Sequence, residues 1–423
     1  MSDPLQPLRL QFGGSDEGLR VVRQSPPAGA ASCSVTYVGP AGWGFDARGR
    51  EGTARLVNQL VTSGAGPYDR VELARLLDRA GATISHQCAP ESGEVTIWGP
   101  ANEWRRLLRL LAEVILRPRF DLTDVSRARR QIRERQLREA SLPANRVEHE
   151  LLRSIFPSGH PYAGTGYGTS RSIAQISRLD LVQFHHAHYS SGDAVVVLTV
   201  PAALSDVERE VRKRFRGFRT EHPPRLELPR PRDFTPIRRT VAMPGRSQVE
   251  VRLGGRSIPR TDPKYPAAYL ANEVLGGRPL LSRLFQRVRE RHGLAYHASS
   301  ELEAMRFGGY WVAEAGTGPT RSRSVVALLR EEIRRLDRVL VSSEELKTIR
   351  ESAIGEIPLA LESTAEAHEL AVDVAYHRLP EDYWVQWPEV LRSIRPEDVR
   401  NAASIAMDGG KAVTILAGPV APA

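Results

Sequence analysis

The sequence predicts an α+β protein of two homologous domains, each an antiparallel sheet with helices packed on one face, joined by a proline-rich linker. Three observations carry this. The chain has 423 residues, more than one hydrophobic core usually serves. The order of strand-like and helix-like segments in residues 8–218 returns in outline over 236–420, as an internal duplication would give. Between them, residues 219–235 carry Pro223, Pro224, Pro229 and Pro231 and little apolar periodicity, which reads as a linker.

In the first half, the segments around LRLQF, GLRVVRQS and SCSVTYVG read as strands. A glycine-rich loop leads into the helix TARLVNQLVTS. A second amphipathic helix ends at Gly81, a residue suited to the left-handed turn that closes helices. The strands ATISHQCAP and GEVTIWGP follow, with turn residues at 91–93. A helical stretch from Asn102 to about Ala140 breaks near Pro118, and helices near 146–155, 177–189 and 205–218 surround the strand DAVVVLTV. In the second half, strands at RTVAMPG and SQVEVRLGGRS precede helices at 265–277 and 279–293. Strands LAYHASSELEA and GGYWVAEAGTG come next. Long helices at 321–337 and 343–378, the helix PEDVRNAASIAM and the strand AVTILAG complete the half.

Composition excludes several classes. Hydrophobic residues make 41% and charged residues 26%, values of a globular protein, and no apolar run approaches the ~18 residues of a membrane span. The N-terminal stretch has no basic segment followed by an apolar one, so a cytoplasmic location is expected. Cys33 and Cys88, the only cysteines, lack CxxC partners and read as buried thiols. The net charge of +9 has no nucleic-acid recognition motif beside it, and nucleic acid is not an expected partner. The densest basic run, Arg127 to Arg138, reads as a solvated helix face, with attraction of acidic peptides as the functional option.

Leu275–Tyr296, LGGRPLLSRLFQRVRERHGLAY, resembles the pitrilysin/insulinase and mitochondrial processing peptidase superfamily. The pattern is a Gly-Gly turn, Ser-Arg-Leu-Phe, an arginine, then Gly-Leu-Ala-Tyr. GGYWVAEAGT, LALEST at 359–364 and PEDVRNAA agree in kind and order, so the resemblance spans essentially the whole chain. It implies an HxxEH zinc motif on the first helix of the first domain, where two histidines bind zinc and a glutamate polarises water. Here the motif positions read Arg55, Leu56, Val57, Asn58 and Gln59. A guanidinium has no lone pair for a metal, and Asn58 cannot act as a general base. The third ligand would fall at Arg135 or Gln136, with Glu134 one residue off in this unaligned count. No metal or other cofactor is expected on this chain. His185, His186 and His188 point in different directions on a helix, and the pairs His149-Glu150 and His368-Glu369 lack the second histidine of HExxH.

The resemblance also implies that Arg289 and Tyr296 bind a substrate carbonyl and help the tetrahedral oxyanion. A fork of N–H donors and a phenolic O–H suit that task. Gly276 and Gly277 match, more weakly, a glycine-rich loop associated with substrate binding; helix termination is the alternative. The strand at 82–89 matches the edge that pins peptides in catalytic relatives, with its role here open. The expected function is the metal-free subunit of a heterodimeric zinc endopeptidase. Its partner would be an HxxEH-bearing homologue that carries the zinc, and its substrate a peptide or unfolded segment. The alternatives are an inert structural homologue, like the core proteins of the respiratory bc1 complex, and a peptide-binding module.

Overall fold

The computed structural model describes residues 8–15, 18–218, 225–229 and 234–419; of the expected linker, 219–224 and 230–233 lie outside the described residues. The chain forms two compact units. One comprises 1–135, 165–228 and 357–386, the other 136–164, 229–356 and 387–423. These differ from the expected limits 8–218 and 236–420 at two places: 136–164 packs in the second unit and 357–386 in the first. Each traded segment carries a helix that buries its apolar stripe on a sheet built from the other half of the sequence.

The first unit holds a six-stranded sheet. Its strands are β1 (Gln11–Gly14), β2 (Arg20–Gln24), β3 (Ser32–Gly39), β4 (Thr83–Cys88), β5 (Gly93–Pro100) and β6 (Val195–Thr199), in the order β1-β2-β6-β3-β5-β4. All neighbours are antiparallel except β2 and β6. Alternation along β3 sets the layers. Cys33, Val35 and Tyr37 face the main core with Val95 and Ile97, under the helices Thr53–Leu60, Trp104–Leu116 and Arg178–His188. Val38, with Val22, Val195 and Val197, faces the other way onto Ala371, Val374 and Ala375 of the helix Thr364–His377. That second face also carries polar groups. Thr36 Oγ1 and Thr199 Oγ1 each lie 2.7 Å from one imidazole nitrogen of the buried His368. Gln24 Nε2 donates to the Ala367 carbonyl at 2.9 Å, so the traded helix is fixed by hydrogen bonds as well as by packing.

The second unit holds β7 (Arg238–Ala242), β8 (Val249–Ser257), β9 (Ala295–Ala304), β10 (Gly309–Thr317) and β11 (Val413–Gly418), in the order β7-β11-β8-β10-β9. Only β7 and β11 run parallel. Strand for strand this repeats β2-β6-β3-β5-β4, the duplication expected from the sequence. The helix Pro143–Ile155 lays Val147, Leu151 and Ile155 on Val312, Val413 and Ile415. Each such fully buried side chain contributes roughly 2 kcal/mol of transfer free energy.

One expected helix is two. Residues 343–378 form Ser343–Ala360 and Thr364–His377. Ser363 caps the second, its hydroxyl accepting the Glu366 N–H at 3.4 Å. Apolar periodicity continues across this junction; the serine cap is the sequence signal that marks it. Among the described residues, no helix is long and apolar enough to cross a membrane.

Candidate functional site

The helix Thr53–Leu60 carries the degenerate motif. It starts at Gly52, whose φ of 102° favours glycine, and it lacks a capping side chain of its own. Asp46 supplies the cap from the preceding loop, its two oxygens accepting the N–H groups of Gly52 and Ala54, both at 2.7 Å. Burial pushes the Asp46 carboxyl up to about 7, against the pull of those two N–H groups. Leu56, Val57 and Leu60 anchor the helix in the core.

Each of the three motif positions is engaged. The Arg55 guanidinium lies 4.6 Å from the Trp43 ring centroid and 4.2 Å from that of Tyr167, and its Nε donates to the Thr165 carbonyl at 2.8 Å. Asn58 is buried; its Nδ2 donates to the Glu94 carbonyl at 3.1 Å and to the Tyr189 hydroxyl at 3.2 Å. Its Oδ1 lies 3.2 Å from Nδ1 of His86 on β4. Gln59 Nε2 donates to Oε1 of Gln131, on the helix Leu122–Ser141. Gln131 lies one helical turn before Arg135 on that helix.

These residues do not fit zinc. A cation at Arg55, an amide spent on Asn58's neighbours and a Gln59–Gln131 pair give no anionic or imidazole donor set. Among the described residues no group of three or more His, Cys, Asp or Glu side chains could hold a metal. The three clustered histidines diverge. His185 lies 2.8 Å from the Ile115 carbonyl and His188 packs between Phe45 and Phe184; burial lowers both to about 4. His186 is exposed. Cys33 and Cys88 are buried free thiols, each pushed up to about 12 by burial. In the arginine-rich helix, Arg127 pairs with Asp124 at 2.8 Å and Arg129 donates to the Ile176 carbonyl, while Arg130 and Arg133 are exposed.

In the second unit the helix Tyr265–Asn272 runs into a wide-turn π-helical segment, Glu273–Gly277, and a second π segment covers Phe285–Arg291. Such turns recur at functional sites. Gly276 lies against β9: a Cβ there would come within 2.3 Å of the Ser300 nitrogen. A Cβ on Gly277 would meet the Glu273 carboxylate at 2.4 Å. Close packing on the β9 backbone therefore demands glycine at Gly276, while at Gly277 the near atoms are the side-chain ends of Glu273 and Asn272; Gly277 ends its helical segment. Arg278 is buried and pairs with Glu273 at 2.6 Å and with Glu356. Leu280 is 67% exposed at a φ of 65°, a strained combination that sequence reading did not flag.

Arg289 sits on the second π segment, exposed, with its guanidinium 4.9 Å from the Phe285 ring centroid. Gly293, at a φ of 58°, reverses the chain two residues before β9. Tyr296 is the second residue of that edge strand and is 67% exposed. Neither the Arg289 guanidinium nor the Tyr296 hydroxyl has a hydrogen-bond partner among the described residues. In the first unit β4, the 82–89 segment, is likewise an edge strand.

Residues 175–353 match the family model described as the Peptidase M16 inactive domain. An uncharacterized zinc protease of Mycobacterium leprae is 26% identical, over 82% of this chain and 78% of its own. The alpha subunit of the mitochondrial-processing peptidase of Pongo abelii is 22% identical, over 95% and 80%. The crystal structure of a peptidase M16 inactive domain from Pseudomonas fluorescens superposes with a TM-score of 0.90 at 22% identity, covering 97% of this chain and 98% of that one. A protease from Helicobacter pylori superposes with a TM-score of 0.88 at 17% identity, covering 97% and 99%. Residues 175–353 thus resemble the Peptidase M16 inactive domain, and over nearly its whole length the chain is similar to pitrilysin-type zinc proteases and shares the fold of these solved structures.

Proposed function

We propose that this chain is the metal-free subunit of a heterodimeric zinc endopeptidase and lends Arg289 and Tyr296 to a composite site. The observation that carries the reading is an asymmetry of engagement. Arg55, Asn58 and Gln59 are tied into their own surroundings. Arg289, beside the Phe285 ring, and Tyr296 stand exposed, and neither side chain makes a hydrogen bond among the described residues. The zinc would belong to an HxxEH-bearing homologous partner. Arg289 would hold a substrate carbonyl through its fork of N–H donors. Tyr296 would donate its O–H to the oxygen that gains charge as the scissile carbonyl becomes tetrahedral. Gly276 would act indirectly, by letting the π segment lie on β9 and so place Tyr296, and Gly277 by ending that segment. The substrates would be peptides or unfolded segments, and the two unpaired thiols favour a reducing, cytoplasmic setting.

The test is cleavage of a quenched fluorescent peptide library by this chain, by its HxxEH-bearing homologue and by the two mixed. Turnover that appears only in the mixture supports the reading. A mixture no more active than the homologue alone would favour an inert structural or peptide-binding role.

A further inference from the structure

A cavity of about 500 Å³ lies within the first unit, on the sheet face away from the helix Thr53–Leu60. Its floor is the outer side of β3, β4 and β5, and its roof is one stripe of the traded helix Thr364–His377. That volume suits a small organic molecule.

Its chemistry runs against the rest of the protein. The chain has 59 Lys and Arg against 50 Asp and Glu, yet no lysine or arginine lines this cavity, while Glu94, Glu369 and Asp373 do. Asp373 is occupied by His377 at 3.1 Å. Glu94 accepts from Thr96 at 3.0 Å through Oε1, and its Oε2 has no hydrogen-bond partner among the described residues. Burial, with Glu369 adding like charge, raises the Glu94 carboxyl above its ordinary range. A cation beside it would relieve both effects. Two hydroxyls add an independent sign of a ligand. Ser34 is 3% exposed and Ser92 is 8% exposed; both line the cavity, and neither side chain has a hydrogen-bond partner among the described residues. Both hydroxyls open onto the cavity, where a ligand can reach them. Trp98, opposite Ser34 in the β3–β5 register and 40% exposed, provides an aromatic wall.

We infer that this cavity is a binding site for a small organic cation, an alkylammonium or alkylguanidinium, held by Glu94 and Glu369, hydrogen-bonded by Ser34 and Ser92 and covered by Trp98. Aromatic faces attract such cations, and the carboxylates give charge-assisted hydrogen bonds. The inference rests on the first unit alone and is independent of the subunit role proposed above.

The experiment is calorimetric titration of the full chain with agmatine and cadaverine, beside 1,5-pentanediol and glutarate of similar length. The expected result is saturable one-to-one binding of at least one cation, with at least tenfold weaker binding of the diol and of glutarate. Glu94→Gln and Glu369→Gln should each weaken the cation at least fivefold. Glu369 is exposed, so its variant tests the charge without disturbing the fold. No saturable heat with either cation, equal binding of the diol, or an unchanged affinity in Glu369→Gln with native melting would each overturn the assignment.

Discussion

The two halves of the molecule build the same scaffold and spend it differently. In the first, a helix, a second helix Arg70–Arg79 and Gly81 at a φ of 60° deliver the chain to the edge strand β4. In the second, a helix, the π segment Phe285–Arg291 and Gly293 at 58° deliver it to the edge strand β9. Each glycine stands two residues before its strand. The side chains on this shared frame then diverge. The first half commits its polar groups to one another through Asn58, His86, Tyr189, Gln59 and Gln131. The second half fixes its backbone with buried pairs such as Arg278–Glu273 and leaves Arg289 and Tyr296 exposed, with no side-chain hydrogen bond among the described residues. Duplication preserves geometry; what each copy does depends on which polar groups are left over.

Four measurements break or sharpen that comparison. The first concerns His368, which burial lowers to about 3 while the unfolded side chain titrates near its ordinary value of about 6.5. Between those values the unfolded chain binds the extra proton. Stability is therefore complete above about pH 6.5 and declines as pH falls, by up to about 1.4 kcal/mol per unit. Urea unfolding at pH 5 and 7.5 should show a gap of about 2 kcal/mol from this residue. His368→Gln should shrink the gap; an unchanged gap would remove His368 as its source.

Next, Asn58→Leu should destabilise the first unit by about 2–3 kcal/mol, because it strands the buried Tyr189 hydroxyl. Gln59→Leu, at a half-buried position paired with exposed Gln131, should cost less than about 1 kcal/mol. Equal costs would mean that the Asn58 network is not the anchor of that helix. Gly276→Ala should cost about 1–3 kcal/mol by forcing the π segment off β9, which chemical denaturation reads directly. Smallest, Gly81→Ala and Gly293→Ala should each cost about 1 kcal/mol, since both glycines hold left-handed φ and neither added methyl meets an atom nearer than 3.4 Å. A large inequality between them would separate the two copies of the motif.

Much of this was legible in the sequence. Alternation in SCSVTYVG and GEVTIWGP, the break near Pro118 and the glycine after each second helix located the elements, because those signals are local. The trade of 136–164 for 357–386 was not legible: periodicity reveals an apolar stripe but not the sheet that receives it. The parallel pairs β2–β6 and β7–β11 join strands more than 150 residues apart, beyond any local signal. Arg55, Asn58 and Gln59 were found as departures from a motif, and their chemistry could be judged from residue type alone. Gln131 was missed because helical phase, not count, decides which side chain faces Gln59. The Glu94 cavity was invisible for a similar reason. Its floor and roof lie more than 250 residues apart in the chain.

The central claim is tested most directly with the double variant Arg289→Ala/Tyr296→Phe, mixed with the HxxEH-bearing homologue and compared with the unmodified pair. Loss of oxyanion-directed donors predicts kcat/KM lower by about 10²–10³, with the melting temperature of this chain unchanged because both side chains are exposed. A double variant as active as the unmodified pair would contradict the claim.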